Sequence, residues 1–206
     1  ILLRDEDDKT IAAKHSISPE DLRAIIADCQ KVLMADRDKR IRPGLDDKTL
    51  TSWNGLMLKG YVDAYLTFGE QHFLDVATEN AKFIVKKQLR KDGGLNHSYK
   101  KGHSTINAYL EDYAFIIDAF LKLYEATFDV KWLKEADALM AYSIEHFYDD
   151  ESGMFFFTSD EDPALIARKM EVNDNVIPAS NSVMANNLFL LSHHYGREDY
   201  KDKAEQ

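Results

Sequence analysis

Glu111 and Asp112 stand side by side in "YLEDYAF", at the head of a long apolar run. Neighbouring carboxylates raise one another's proton affinity, and burial raises it further, so such a pair can supply a general acid or base. Paired carboxylates are also what cleavage of a glycosidic bond requires. Asp46, Asp47, Lys48, Trp53 and Asn54 in "DDKTLTSWNGLM" open another apolar run, and Ser180 and Asn181 in "PASNSVMANNL" open a third. Between the runs lie His97 and Tyr99 in "GGLNHSY" and Arg168 and Lys169 in "LIARKMEVNDN". His97 and Tyr99 are candidate ligand contacts. The planar fork of Arg168 suits either a carboxylate partner or an anionic ligand. No spacing of histidine and carboxylate suggests a metal site, and no cofactor is expected.

These residues need elements to position them. "SPEDLRAIIADCQKVLMADRDKR" opens with Ser18 as N-cap, Pro19 at the first helical position and Asp21 three residues after the cap. Its apolar stripe is Leu22, Ile25, Ile26, Cys29 and Leu33, which predicts a lead helix over 18–42, ended near Pro43 and Gly44. Cys29, the single cysteine, reads as a small core residue. A helix–turn–helix unit follows over 50–90 and returns over 107–147: a shift of 59 residues carries Phe73 and Leu74 to Trp132 and Leu133, and Ala77 to Ala136. A third copy starts over 180–206, with Ala204 matching Ala136 at a shift of 68.

Repeats of this kind stack as a solenoid or close as a toroid. The first helix of each pair is apolar nearly all round, as in Tyr113, Phe115, Ile116, Ile117, Phe120 and Leu121, and should be covered on several sides. The second leaves Lys131, Lys134, Glu135, Asp137 and Glu145 for water. An inner layer within an outer one favours a toroid. Inner-to-outer turns are short ("TFGE", "ATFDV"), whereas the return connections, 91–106 and 148–179, are long and carry strand-like pieces, "GGLNHSY" and "GMFFFTSD". Long ordered connections carry function, and here all open onto the face bearing the starts of the inner helices.

The same shifts align Trp53 and Asn54 with Asp112 and Tyr113, and these with Ser180 and Asn181. Taken singly, Ser52, Asp112, Ser180 and Asn181 are helix caps, Trp53 is a core residue, and Asp46, Asp47 and Lys48 form a solvated turn. Taken together, they make a ring of helix starts, whose unpaired N–H groups suit hydroxyl-rich or anionic ligands.

The net charge of -10 and pI near 5.1 argue against nucleic acid as a partner. No apolar run approaches the roughly 20 residues that span a bilayer, and no signal peptide opens the chain, so a soluble, cytoplasmic location is expected. The chain begins at Ile1 and stops at Gln206 inside a helical pattern, as a piece of a longer protein would. An incomplete ring exposes an apolar wall, which predicts a homodimer.

The segments "RPGLDDKTLTSWNGLM", "YLEDYAFIIDAFLKLYEATFD", "GMFFFTSDED" with the following Arg168 and Lys169, and "PASNSVMANNL" resemble the bacterial thioredoxin-domain proteins related to spermatogenesis-associated protein 20. The resemblance runs from residue 18 onward. It implies an N-terminal thioredoxin-like domain absent from this chain, then an (α/α)6 toroid similar to N-acylglucosamine 2-epimerase and six-hairpin glycosidases. The chain is then an all-α fragment, about half of that toroid, with short β-like pieces in its long loops. Ala179-Ser180 departs from an expected Ser-Gly pair, and "NDNV" from an expected Asp-Gly turn. Epimerases of this fold use histidines as proton-transfer groups, and no inner-helix start here carries one, so that chemistry is not carried over. The expectation is a rim that binds a small carbohydrate, with Glu111 and Asp112 as acids and Trp53 and Tyr113 stacked on the sugar. The competing expectation is a non-catalytic scaffold that docks a thioredoxin-like domain or another protein.

Overall fold

A computed structural model describes residues 5–163 and 166–206. The chain divides into two compact units, residues 1–46 and 47–206. The first holds α1 (Asp8–Lys14) and α2 (Pro19–Arg37). Ser18 caps α2 as its sequence requires, its Oγ accepting from the Asp21 amide at 3.0 Å. Of the predicted stripe only Leu22 is buried; Ile25 and Leu33 are exposed. Cys29 is exposed as well, which corrects its reading as a core residue.

The second unit is built of hairpins. α3 (Thr51–Phe68) and α4 (Gln71–Lys87) form the first, α5 (Leu110–Thr127) and α6 (Val130–Phe147) the second, and α7 (Ser180–Tyr195) with α8 (Glu198–Glu205) the third. α5 packs on α3, α6 and α7, and that is why it is apolar all round: Tyr113 through Ile117 and Ala119 through Leu121 are buried without a break. Gly55 of α3 lies against the α5 backbone, where an added Cβ would stand 2.9 Å from the carbonyl carbon and oxygen of Phe115. The contact admits nothing larger than hydrogen. Matching repeat positions touch: Lys59 and Asp118, both facing along the inner helices, pair at 2.7 Å.

The turns from inner to outer helix share one device. Gly69, Phe128 and Gly196, which occupy equivalent repeat positions, end their helices in the left-handed conformation, with φ of 72°, 54° and 64°. The return connections carry the strands. β1 (Thr49–Leu50), β2 (Asn96–Lys100) and β3 (His103–Asn107) make an antiparallel sheet in that order, with Leu50 opposite Ser98 and Ser98 opposite Thr105. β4 (Tyr148–Asp149) and β5 (Met154–Phe155) form a short hairpin. The fold is all-α with short β pieces in the loops, part of an (α/α)6 toroid. No helix among the described residues is long and apolar enough to cross a membrane.

Candidate functional site

The starts of α3 and α5 meet at Asp112. This side chain is fully buried, and both of its oxygens are engaged. Oδ1 accepts from the Ser52 amide at 2.8 Å, and Oδ2 from the Tyr109 amide at 3.0 Å. Both donors are N–H groups at helix starts, which lack a partner within their own helix, so one carboxylate completes two helices. Oδ2 also lies 2.9 Å from His97 Nδ1. Because the carboxylate accepts throughout, the imidazole donates from Nδ1, and Nε2 is left as the nitrogen that gains or loses a proton.

Burial and partners shift two groups here. The hydrogen bond to Asp112 holds the His97 pKa above its ordinary value; partial burial and the charge of Lys48 act against this. Glu111, half-buried, is also pushed up, chiefly by loss of water and then by the charge of Asp112, with Glu171 adding to it. Ser52 Oγ donates to Glu111 Oε1 at 3.3 Å and opposes that shift. An imidazole anchored on one nitrogen, beside a carboxyl that retains its proton to higher pH, is an acid–base pair. The ligand atoms of His97, Glu111 and Asp112 lie within 4.8 Å of one another, a convergence the spacing in sequence does not reveal. Since Asp112 is engaged by two amides and an imidazole, the arrangement is better suited to moving protons than to holding a cation.

Ser180, buried at the start of α7, donates from Oγ to Glu171 Oε2 at 2.6 Å. Glu171 is a third acid that sequence reasoning missed, since nothing in "ARKMEVND" separates it from the charges around it.

The other candidates make contacts of their own. Tyr113 is a correction: one residue after Asp112, it is turned about 100° around the helix into the core. It is fully buried, its hydroxyl accepts from the Leu95 amide at 2.8 Å, and its ring stacks on Tyr142. Asn54 donates to the Leu50 carbonyl at 2.8 Å, and Asn181 ties the Phe155 and Glu171 carbonyls to α7, so both brace backbone. Arg168 is also a brace: its guanidinium lies over the Phe156 ring at 4.1 Å and donates to the carbonyls of His146 and Thr158. Lys169 is exposed, and its carbonyl pairs with the Phe157 amide at 2.7 Å. Tyr99 packs edge-on against Phe83 of α4. Asp47 pairs with Lys100 on the sheet, and Asp46 ends the first unit. Trp53 is 62% exposed on α3, not core. An aromatic ring the sequence did not suggest packs on His97: Tyr109, edge-on to it at 5.0 Å and stacked on Phe157.

The Glu111 shift yields a signed prediction. Its folded pKa lies above the reference 4.5, so the folded state favours the neutral carboxyl; stability is complete below 4.5 and falls as pH rises through the folded value. Glu111→Gln should therefore raise the unfolding free energy at pH 8, by less than about 1 kcal/mol because water still reaches the group. At pH 4 the difference should vanish. Urea unfolding at both pH values measures it.

No protein-family model matches the chain. Human spermatogenesis-associated protein 20 is 32% identical over 203 residues, 94% of this chain and 26% of that protein. Among solved structures, a family 76 glycoside hydrolase α-mannanase from Bacteroides thetaiotaomicron superposes with a TM-score of 0.63 at 16% identity, over 81% of this chain and 44% of the other. Cellobiose 2-epimerase from Bacillus thermoamylovorans gives 0.63 at 13% identity, over 78% and 44%. These two likenesses show the fold. The chain spans about a quarter of the length of the curated relatives it matches, and over that span it is homologous to spermatogenesis-associated protein 20.

Proposed function

We propose that this segment carries a carbohydrate-binding, acid–base site: Glu111 is the proton donor, His97 the base through Nε2, and Asp112 the group that orients the imidazole. The observation that supports this most is the contact between His97 Nδ1 and a fully buried Asp112 at 2.9 Å, beside a carboxyl whose proton affinity is raised. A carboxylate that serves only to cap helices has no need of an imidazole. Sugars are the proposed ligand class because the fold neighbours include a mannanase and a cellobiose epimerase. Hydroxyl-rich ligands also match the partly exposed groups beside the cluster: the carboxyls of Glu111 and Glu171, each backed by a buried serine hydroxyl, and Tyr109. Asp112, expected from sequence to be an acid in its own right, is here assigned to positioning, because its oxygens are already engaged.

Calorimetric titration of the 206-residue chain with a panel of neutral mono- and disaccharides tests the reading. Binding of at least one sugar is expected, weakened tenfold or more by His97→Gln and by Glu111→Gln. If no sugar binds, or if neither change alters binding, the site reading fails and the scaffold reading takes its place.

A further inference from the structure

Two consecutive residues hold both halves of the His97–Asp112 pair. The Ser52 amide fixes Asp112, as described. Thr51, one residue earlier, donates from Oγ1 to the carbonyl of Asn96 at 2.6 Å, and Asn96 precedes His97 in β2. Thr51 Oγ1 in turn accepts from Gln88 Nε2 at 2.7 Å. Thr51 and Gln88 are both fully buried. Gln88 reaches Asn96 by another route as well: its carbonyl accepts from the Asn96 amide at 2.9 Å and from Asn96 Nδ2 at 3.2 Å.

We propose that Thr51, backed by Gln88, is the positioning residue of the acid–base pair, so that the first turn of α3 sets where His97 sits against Asp112. The inference rests on the reading of His97 and Asp112 given above, but its geometry does not depend on what the ligand is. Thr51 acts through the backbone of Asn96 and touches neither reacting group. A hydroxyl that donates to one strand while accepting from a buried amide has a fixed direction, so its loss frees both partners at once. The Asn96 carbonyl would then lose its hydroxyl donor, leaving Asn96 to Gln88 and to its pairing with Asn107 of β3, and the imidazole could tilt away from Oδ2.

The test is the titration of His97 followed by its imidazole resonances in NMR, which requires no substrate. Thr51→Val keeps the shape and removes the hydroxyl. It should move the His97 midpoint back toward the reference 6.5. Thr51→Ser restores the hydroxyl and should restore the midpoint. Thr67→Val is the control, since Thr67 Oγ1 on the same helix donates only to the Asp63 carbonyl at its exposed end; it should change nothing. A wild-type midpoint in Thr51→Val, or an equal shift in Thr51→Ser, overturns the proposal. Should Thr51→Val fail to fold, Gln88→Met takes its place: it leaves the Thr51 hydroxyl without its donor and should shift the midpoint in the same direction, and no shift there counts against the proposal equally. Failure of the sugar titration would leave these outcomes unaffected, which separates this idea from the functional one.

Discussion

Asp112→Asn should destabilise the protein by about 2–4 kcal/mol and lower the His97 pKa. The two changes share a cause. Ser52 and Tyr109 each present an N–H to a different oxygen of Asp112, and His97 adds a third donor to Oδ2. Asparagine keeps only one oxygen. Whichever way the amide is turned, its NH2 faces a backbone N–H in a fully buried place, and one helix start is left without an acceptor. The pH dependence carries a sign. Since the His97 pKa is raised in the folded state, the stability due to its pairing is complete below the reference 6.5 and is lost as pH rises through the folded value. The gap between wild type and variant should therefore be wider at pH 5.5 than at pH 9. On any substrate turned over by this site, the variant should lose roughly 10²–10⁴-fold in rate, the usual worth of an oriented acid–base group. Urea unfolding at the two pH values, together with the His97 titration, measures the effect. A variant within 0.5 kcal/mol of wild type, with His97 titrating unchanged, would remove Asp112 from its assigned role.

A second large effect is expected at Gly55, and its helix supplies the control. An alanine there places Cβ 2.9 Å from the Phe115 backbone, which cannot rotate away as a side chain can. α3 must move off α5, the helix it packs on most extensively. Overpacking costs roughly 1–3 kcal/mol or more, against about 1 kcal/mol gained from alanine's helix preference. A net loss of about 1–2 kcal/mol is expected, together with weaker sugar binding, because Ser52 sits three residues earlier and is displaced from Asp112. Gly60 has nothing within 4 Å of its virtual Cβ, so Gly60→Ala should stabilise by about 0.5–1 kcal/mol. Thermal unfolding of the two variants gives the answer. Equal and positive shifts would show that the close approach of α3 and α5 is not what Gly55 serves.

The periodicity that marks the helices is direct physics: each inner helix must be apolar wherever a neighbour covers it, and α5, covered on three sides, declares itself by an apolar run that only Asp118 interrupts. The alternation of long and short connections shows which end is elaborated. What sequence does not carry is rotation about a helix axis to within one residue. Asp112 and Tyr113 were aligned as one pair of rim residues, yet the single step between them separates a hydrogen-bonded carboxylate from a core aromatic. Contacts across a hairpin are equally hidden. His97 reaches Asp112 only because β2 and β3 fold back over the head of α5, and no spacing in "NHSYKKGHSTINAYLED" announces it. The fork of Arg168 suits a carboxylate partner or an anionic ligand; the loop around it instead supplies carbonyls and a phenyl ring that use the same fork. Cys29 followed an apolar stripe that α2 leaves largely uncovered.

The left-handed stops at Gly69, Phe128 and Gly196 have an evolutionary corollary. They peg the hairpins to a common phase on one side of the molecule, so the unequal spacing of the copies is absorbed entirely by the opposite loops. Residues can be added or removed there without re-indexing a single helix, and binding preferences can diverge while the frame folds as before. Phe128, 77% exposed and the one pegging residue with a side chain to strain, marks where that frame still has stability to gain.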